Sequence, residues 1–265
     1  MSARHPIVSV MSNKIVTRGV VIVYRGRNDQ EPVLACAGID LEVDEGSFVS
    51  IVGPSGCGKT TLLYAIDGLL PVNRGEIRVS GKPITGPGTD RAMVFQSASL
   101  LPWRTVWGNI TYGLKLHVGL DRQRTDKVAG LIDMVGLRGC ETRYPSELSG
   151  GMQQRANLAR ALAVDPDILL LDEPFASVDA QTREKLQVEL TQIWARTRKT
   201  MVFVTHDIAE AVFLSDQVIV FSARPAQVRA VVKIEIPRPR SLETKHSASV
   251  QDYVKQVWNL IESPN

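Results

Sequence analysis

Gly53-Pro54-Ser55-Gly56-Cys57-Gly58-Lys59-Thr60 carries the first chemistry legible in the sequence. Its pattern, G-x-x-x-x-G-K-T, lets a glycine-rich backbone curl so that successive N–H groups face phosphate oxygens. Lys59 is placed to reach the β- and γ-phosphates of a nucleotide, and the Thr60 hydroxyl to hold Mg²⁺. Thr61 continues into a helix whose N-terminus adds positive potential at the same spot. An ordinary glycine turn needs no particular context. A phosphate loop needs a strand before it and a helix after it, and the apolar run Phe48 to Val52 and the segment from Lys59 supply them. Leu169-Leu170-Leu171-Asp172 reads as a buried strand ending in a carboxylate, which sets Asp172 beside a metal ion. Glu173 follows it, within reach of an attacking water, and is the candidate general base. By itself the phosphate loop is equally at home in kinases, GTPases and recombination-type ATPases.

Leu148, Ser149, Gly150, Gly151, Met152 and Gln153 narrow the choice. Ser149 can cap a helix running on through Ala156 to Val164, and the two glycines leave its first N–H groups bare. A well-capped helix is one reading. The other is that the chain offers two anion-binding helix starts and one phosphate loop. The second start then closes on a nucleotide held by another copy.

The elements around these residues give an α/β fold. Phe48–Val52, Ile168–Leu171, Met201–Thr205 and Gln217–Phe221 read as strands. Gln181–Arg196 and Asp207–Leu214 read as helices between them, the alternation of a mostly parallel sheet covered on both faces. Ile15 to Leu41 alternates like antiparallel strands, with a turn around Arg25 to Glu31. From about 97 to 165 the patterns are helical (122–135, 150–164) and contain no convincing buried strand. The expectation is one domain over 1–265: a P-loop NTPase core (15–96 and 166–229), an N-terminal antiparallel β region, an inserted helical lobe (about 97–165) and a tail (230–265). In the tail Val250, Tyr253, Val254, Val257, Trp258 and Ile261 recur at helical spacing, a stripe that suits packing onto the core.

A net charge of +3 on 265 residues is too small to argue for nucleic acid, and none is expected. Cys36, Cys57 and Cys140 are odd in number, far apart and without metal-ligand spacing, as expected of a reducing compartment. No apolar run reaches the roughly 18 residues that span a bilayer, and the first ten residues lack the features of a signal peptide. A role at a membrane would need another chain to bring this one there.

With these residues in place, the sequence resembles the nucleotide-binding subunits of ABC transporters across Ile15 to Arg229. The stretch Leu148 to Gln153 matches that family's signature. The resemblance implies head-to-tail homodimers sandwiching two ATP molecules, each between one chain's phosphate loop and the partner copy's signature serine and glycine, here Ser149 and Gly151. It further implies that Gln96 touches Mg²⁺ and reports nucleotide state to the membrane subunit, that His206 contacts the γ-phosphate, that Asp179 makes the dimer contact, and that Tyr24 stacks on adenine. One departure is Val178, where the family usually has Leu before that aspartate.

Leu100-Leu101-Pro102-Trp103-Arg104-Thr105-Val106 resembles a stretch of bacterial importers of nitrate, sulfonates and taurine, as do Gly86 to Arg91 and Ser222-Ala223-Arg224-Pro225. That implies integral-membrane permease subunits that dock near Gln96, Leu101, Pro102 and Trp103. It also implies an extracytoplasmic solute-binding protein and a place on the cytoplasmic face of the bacterial inner membrane. The cargo would be a small anion, or another small solute such as a thiamine precursor. Rival readings are a soluble ABC ATPase of translation or DNA maintenance, a catalytically dead nucleotide sensor, and a small-molecule kinase. The first usually fuses two cassettes or carries a long coiled coil. Intact Lys59, Asp172, Glu173 and His206 oppose the second. The third has no reason to carry Leu148 to Gln153.

Overall fold

The computed structural model describes residues 13–24, 31–117 and 119–263. The expected turn from Arg25 to Glu31 therefore lies, but for its last residue, outside the described residues. In chain order, β1 (Asn13–Tyr24) and β2 (Val33–Asp44) pair antiparallel, and β3 (Phe48–Val52) leads through the glycine loop into α1 (Lys59–Asp67). Next come β4 (Arg74–Val79), the two-residue β5 (Lys82–Pro83) and β6 (Arg91–Val94). The lobe holds α2 (Val106–Ile110), α3 (Tyr112–His117), α4 (Arg122–Met134) and α5 (Gly150–Ala163). The chain returns through β7 (Ile168–Asp172), α6 (Ala180–Thr197), β8 (Thr200–Val204), α7 (Ile208–Leu214), β9 (Gln217–Phe221) and β10 (Val228–Lys233). It ends in α8 (Leu242–Lys245) and α9 (Ala248–Glu262).

Two sheets result. One, in the order β2-β1-β4-β5, is antiparallel; the other runs β10-β9-β3-β8-β7-β6. In the second, β9, β3, β8, β7 and β6 are mutually parallel and only β10 opposes its neighbour. The reason lies in the strand sequences. Every residue of β3, β7 and β8 is buried, as befits strands covered on both faces. Their side chains alternate between two cores: Leu169, Leu171, Met201 and Phe203 face the helical lobe and α6. Ile168, Leu170, Val202 and Val204 face α1 and the antiparallel sheet.

β6 and β10 are among the elements that the sequence does not announce. β6 is four residues long and opens with Arg91, so it shows no apolar run, yet it forms the sheet edge against β7. β10 crosses the expected division at 229/230 and extends the sheet to Lys233.

The tail helix α9 lays Val250 and Val257 onto Val218, Val220, Val232 and Ile234 in a third core. Trp258, counted in the apolar stripe, is instead 52% exposed. At 3.6 residues per turn it lies about 80° round from Val250, on the rim of the stripe. The Pro237-Arg238-Pro239-Arg240 stretch also packs onto the core. Arg240 is buried and donates to the carbonyls of Val212, Phe213 and Ser215 at the end of α7 and to that of Ile236. Burial lowers its pKa to about 10. Arg238 stacks over Trp194 at 4.0 Å and pairs with Asp216.

Candidate functional site

The phosphate loop leaves the sheet at the end of β3, between β8 and β9. Gly58 just precedes α1 with φ 127, and a Cβ there would stand 2.7 Å from the Ala35 carbonyl oxygen, so no other residue fits. Lys59 is buried and curls back over the loop, its Nζ donating to the carbonyls of Gly53 (2.8 Å) and Pro54 (3.0 Å). The ammonium is thereby fixed across the loop mouth. Cys57 is packed into the core below, and burial pushes its thiol up, which suits an inert filler.

Beside the loop, Thr60 Oγ1 donates to Asp172 Oδ1 at 2.8 Å. Asp172 ends β7 as expected, and burial raises its pKa, partly offset by hydrogen bonds from Thr60 and Tyr64. A buried carboxylate next to a hydroxyl is an oxygen donor set that suits a hard cation, whose charge would offset that burial. Among the described residues no group of three or more His, Cys, Asp or Glu side chains gathers as a metal cage. A cation here would complete its shell from phosphate and water. Gln96 stands exposed two residues past β6, whose Val94 pairs with Leu171, so the register carries it to the same end of the sheet as Asp172.

Glu173 sits in the left-handed region at φ 41, a conformation costing a non-glycine residue about 1–3 kcal/mol. Its N–H is anchored on the Val204 carbonyl (2.9 Å), and its Oε2 lies 2.9 Å from His206 Nδ1. Sequence spacing could not show this pairing; it arises because β7 and β8 are adjacent and parallel. The cleft over the loop is lined by Ser55, Gly56, Lys59, Thr60, Glu173 and Arg224, among others. Arg224, to which the sequence reading gave no site role, donates from Nε and Nη2 to the Gly56 carbonyl at 3.1 and 2.8 Å. Tyr24 ends β1, 41% exposed, with its hydroxyl 3.1 Å from Thr61 Oγ1, beside the start of α1.

Leu148 to Gln153 are not in this cleft. Ser149 caps α5, accepting from the Met152 N–H at 3.3 Å, while Gln153 Nε2 ties back to the Pro145 carbonyl. Leu148 is buried and Met152 half-buried; Ser149 and Gly150 are exposed. A Cβ on Gly151 would stand 2.6 Å from Thr182 Cγ2, so the glycine lets α5 approach α6. Asp179 is exposed and caps α6 by accepting from the Thr182 N–H at 3.0 Å, a bond that holds its carboxyl below the usual range. One chain thus gathers the loop, Asp172, Glu173 and His206, and leaves a second bare helix start facing outward.

The Leu101-Pro102-Trp103 segment precedes α2, and Trp103 is 71% exposed. Its rigidity comes from a residue that spacing did not reveal. Buried Asn109 accepts from the Leu101 N–H and donates to the carbonyls of Leu101, Arg104 and Thr105. Arg160 of α5 adds a bond to the Ser99 carbonyl at 2.9 Å.

Comparison with known proteins gives a consistent picture. Residues 36–176 match the family model described as ABC transporter. The chain is 49% identical over 230 residues to an uncharacterized ABC transporter ATP-binding protein of Methanocaldococcus jannaschii, covering 87% of this chain and 85% of that one. It is 45% identical to an aliphatic sulfonates import ATP-binding protein of Bacillus cereus, covering 84% and 87%. To the nitrate import ATP-binding protein of a Synechocystis strain it is 42% identical, covering 86% and 88%. Among solved structures it resembles a dimeric ATP-binding cassette in a post-hydrolysis state bound to ADP and Pi. The TM-score there is 0.73 at 30% identity, over 84% of this chain and 100% of that one.

Proposed function

The chain belongs to the ABC transporter family as an ATP-hydrolysing cassette, and from that premise we propose that it powers uptake of a small anion such as nitrate, taurine or an alkanesulfonate. The observation that carries the hydrolytic half is the pairing of Glu173 with His206 at 2.9 Å, at the rim of the cleft that Lys59 and Thr60 line. In this reading Gly53 to Thr61 cradle the phosphates and Lys59 meets the β- and γ-phosphates. Thr60, Asp172 and Gln96 would hold Mg²⁺, which when bound neutralises phosphate oxygens. Glu173 takes the proton of the attacking water, and His206 holds Glu173 in place and meets the γ-phosphate. Tyr24 stacks on adenine.

Ser149, exposed at the start of α5, and Gly151 behind it serve the ATP of a second copy, and Asp179 contacts that copy across the dimer. The exposed Trp103, with Leu101, Pro102 and Gln96, receives an integral-membrane permease, and an extracytoplasmic solute-binding protein delivers the cargo. No helix among the described residues is long and apolar enough to cross a membrane, so attachment would be peripheral, through the permease, at the cytoplasmic face.

The anion assignment is supported by sulfonate and nitrate import relatives that align over most of this chain. The test is growth of a strain lacking this gene on taurine, alkanesulfonates, sulfate and nitrate as sole sulfur or nitrogen sources. Loss of growth on one of these, restored by wild type and not by Lys59→Ala, names the cargo. Normal growth on all of them counts against this cargo class.

A further inference from the structure

We infer that Glu210 is a positioning residue of the hydrolytic site, acting through Thr205 on His206 and linking that histidine to the Asp179 loop. The inference rests on the roles proposed for Glu173 and His206. Glu210 lies in the first turn of α7 and is only 4% exposed. Both carboxyl oxygens are used: Oε1 accepts from Gln187 Nε2 at 2.8 Å, and Oε2 accepts from Thr205 Oγ1. Thr205 Oγ1 in turn accepts from the Asp207 N–H at 3.0 Å, and Asp207 Oδ1 accepts from the Glu210 N–H at 3.1 Å. The backbone on both sides of His206 is therefore held by one closed ring of bonds with Glu210 in it.

The ring reaches the dimer-contact loop through α6. Gln187 is on α6, one turn beyond Arg183, whose Nη2 donates to the Val178 carbonyl at 2.9 Å. Asp179, next in the chain, caps the same helix. Glu173, Phe175, Arg183, Thr205, His206 and Glu210 line one small cavity, so the two loops and the ring share a wall. Burying a carboxylate is unfavourable, and burial raises the pKa of Glu210. An apolar side chain would fill the space at less cost, but could not accept from a hydroxyl and an amide at once. A ring that merely stabilised α7 would leave turnover unchanged once the protein was folded.

The test is steady-state ATP hydrolysis by the full chain, with kcat and KM separated. Glu210→Ala is expected to lower kcat by about 10- to 100-fold, the scale of a misplaced catalytic group, with KM changed by less than about twofold. Glu210→Gln keeps an oxygen for Thr205 and turns an NH₂ toward Gln187, whose Oε1 is otherwise unpartnered and can accept it after an amide flip. That variant is expected to retain kcat within about threefold. Thr205→Val, of similar shape, breaks the ring from the other side and reproduces the kcat loss; it carries the test if Glu210→Ala fails to fold.

In a His206→Ala background Glu210→Ala removes less than about a further twofold, because both changes disable one unit. Equal losses in both backgrounds, a loss expressed in KM, or wild-type kcat in Thr205→Val would overturn the inference. Wild-type turnover in Glu173→Gln and His206→Ala would instead overturn the hydrolytic reading on which it rests.

Discussion

Glu173 Oε2 and His206 Nδ1 lie 2.9 Å apart although 33 residues separate them in the chain. Each follows the C-terminal end of its strand, and β7 and β8 are parallel neighbours with Asp172 opposite Val204. If Glu173 is the general base, Glu173→Gln lowers kcat by about 10²- to 10⁴-fold while ATP binding persists. His206→Ala lowers kcat less, by losing a holder rather than the base. Phosphate-release rates beside nucleotide affinities check both. A Glu173→Gln protein that turns over ATP normally would remove Glu173 from the reaction.

Asn109 fixes the Trp103 segment from within the lobe, bonding to Leu101, Arg104 and Thr105. Asn109→Ala leaves buried backbone groups without partners and is expected to cost about 1–3 kcal/mol of stability. Trp103 is 71% exposed, so Trp103→Ala should change stability by no more than about 0.5 kcal/mol. It should leave ATP hydrolysis by the isolated chain intact and lower solute uptake in cells. Denaturant unfolding and uptake assays read the two effects separately, and undiminished uptake by Trp103→Ala would displace the coupling site.

Asp165 joins lobe to core, its carboxylate bonded to Lys127 of α4 and to Lys199 just before β8. These hydrogen bonds hold its pKa below the ordinary 3.8. A lowered folded-state pKa means stability present above the unfolded value and lost as pH falls through the folded one. Because the side chain is 59% exposed, solvent limits the gain to about 1 kcal/mol or less. Asp165→Asn, which also tolerates the local φ of 58, should lower stability by that amount at neutral pH. The difference should shrink as pH falls below the ordinary 3.8 and vanish once the folded-state carboxyl is also protonated. Urea midpoints across pH decide it, and a difference that grew in acid would contradict the assignment.

The catalytic strands were legible because their chemistry is local. Continuous apolar runs announced β3, β7 and β9, and glycine spacing announced the phosphate loop. Motif logic assigned Asp172 and Thr60 each to a metal ion, and the two are hydrogen-bonded. What stayed hidden depends on tertiary register. β6 opens with a charge and runs four residues, so only its pairing with β7 identifies it. Asn109 and Glu210 look like ordinary helix residues until burial shows what they bond. Trp258 fitted a helical stripe by spacing, but spacing does not say where the stripe ends. Arg240 stands in a short Pro-Arg-Pro-Arg stretch whose spacing assigns it no role, and it closes the end of α7.

The central claim is that the start of α5, with Ser149 exposed and Gly151 buried behind it, completes the ATP site of a second copy. Light scattering during gel filtration of Glu173→Gln, with and without ATP, tests it most directly. The account predicts the mass of one chain without ATP, the mass of two with it, and one chain again when Ser149→Arg is added. A Glu173→Gln protein that binds ATP yet keeps the mass of a single chain, or a dimer indifferent to Ser149→Arg, would contradict it.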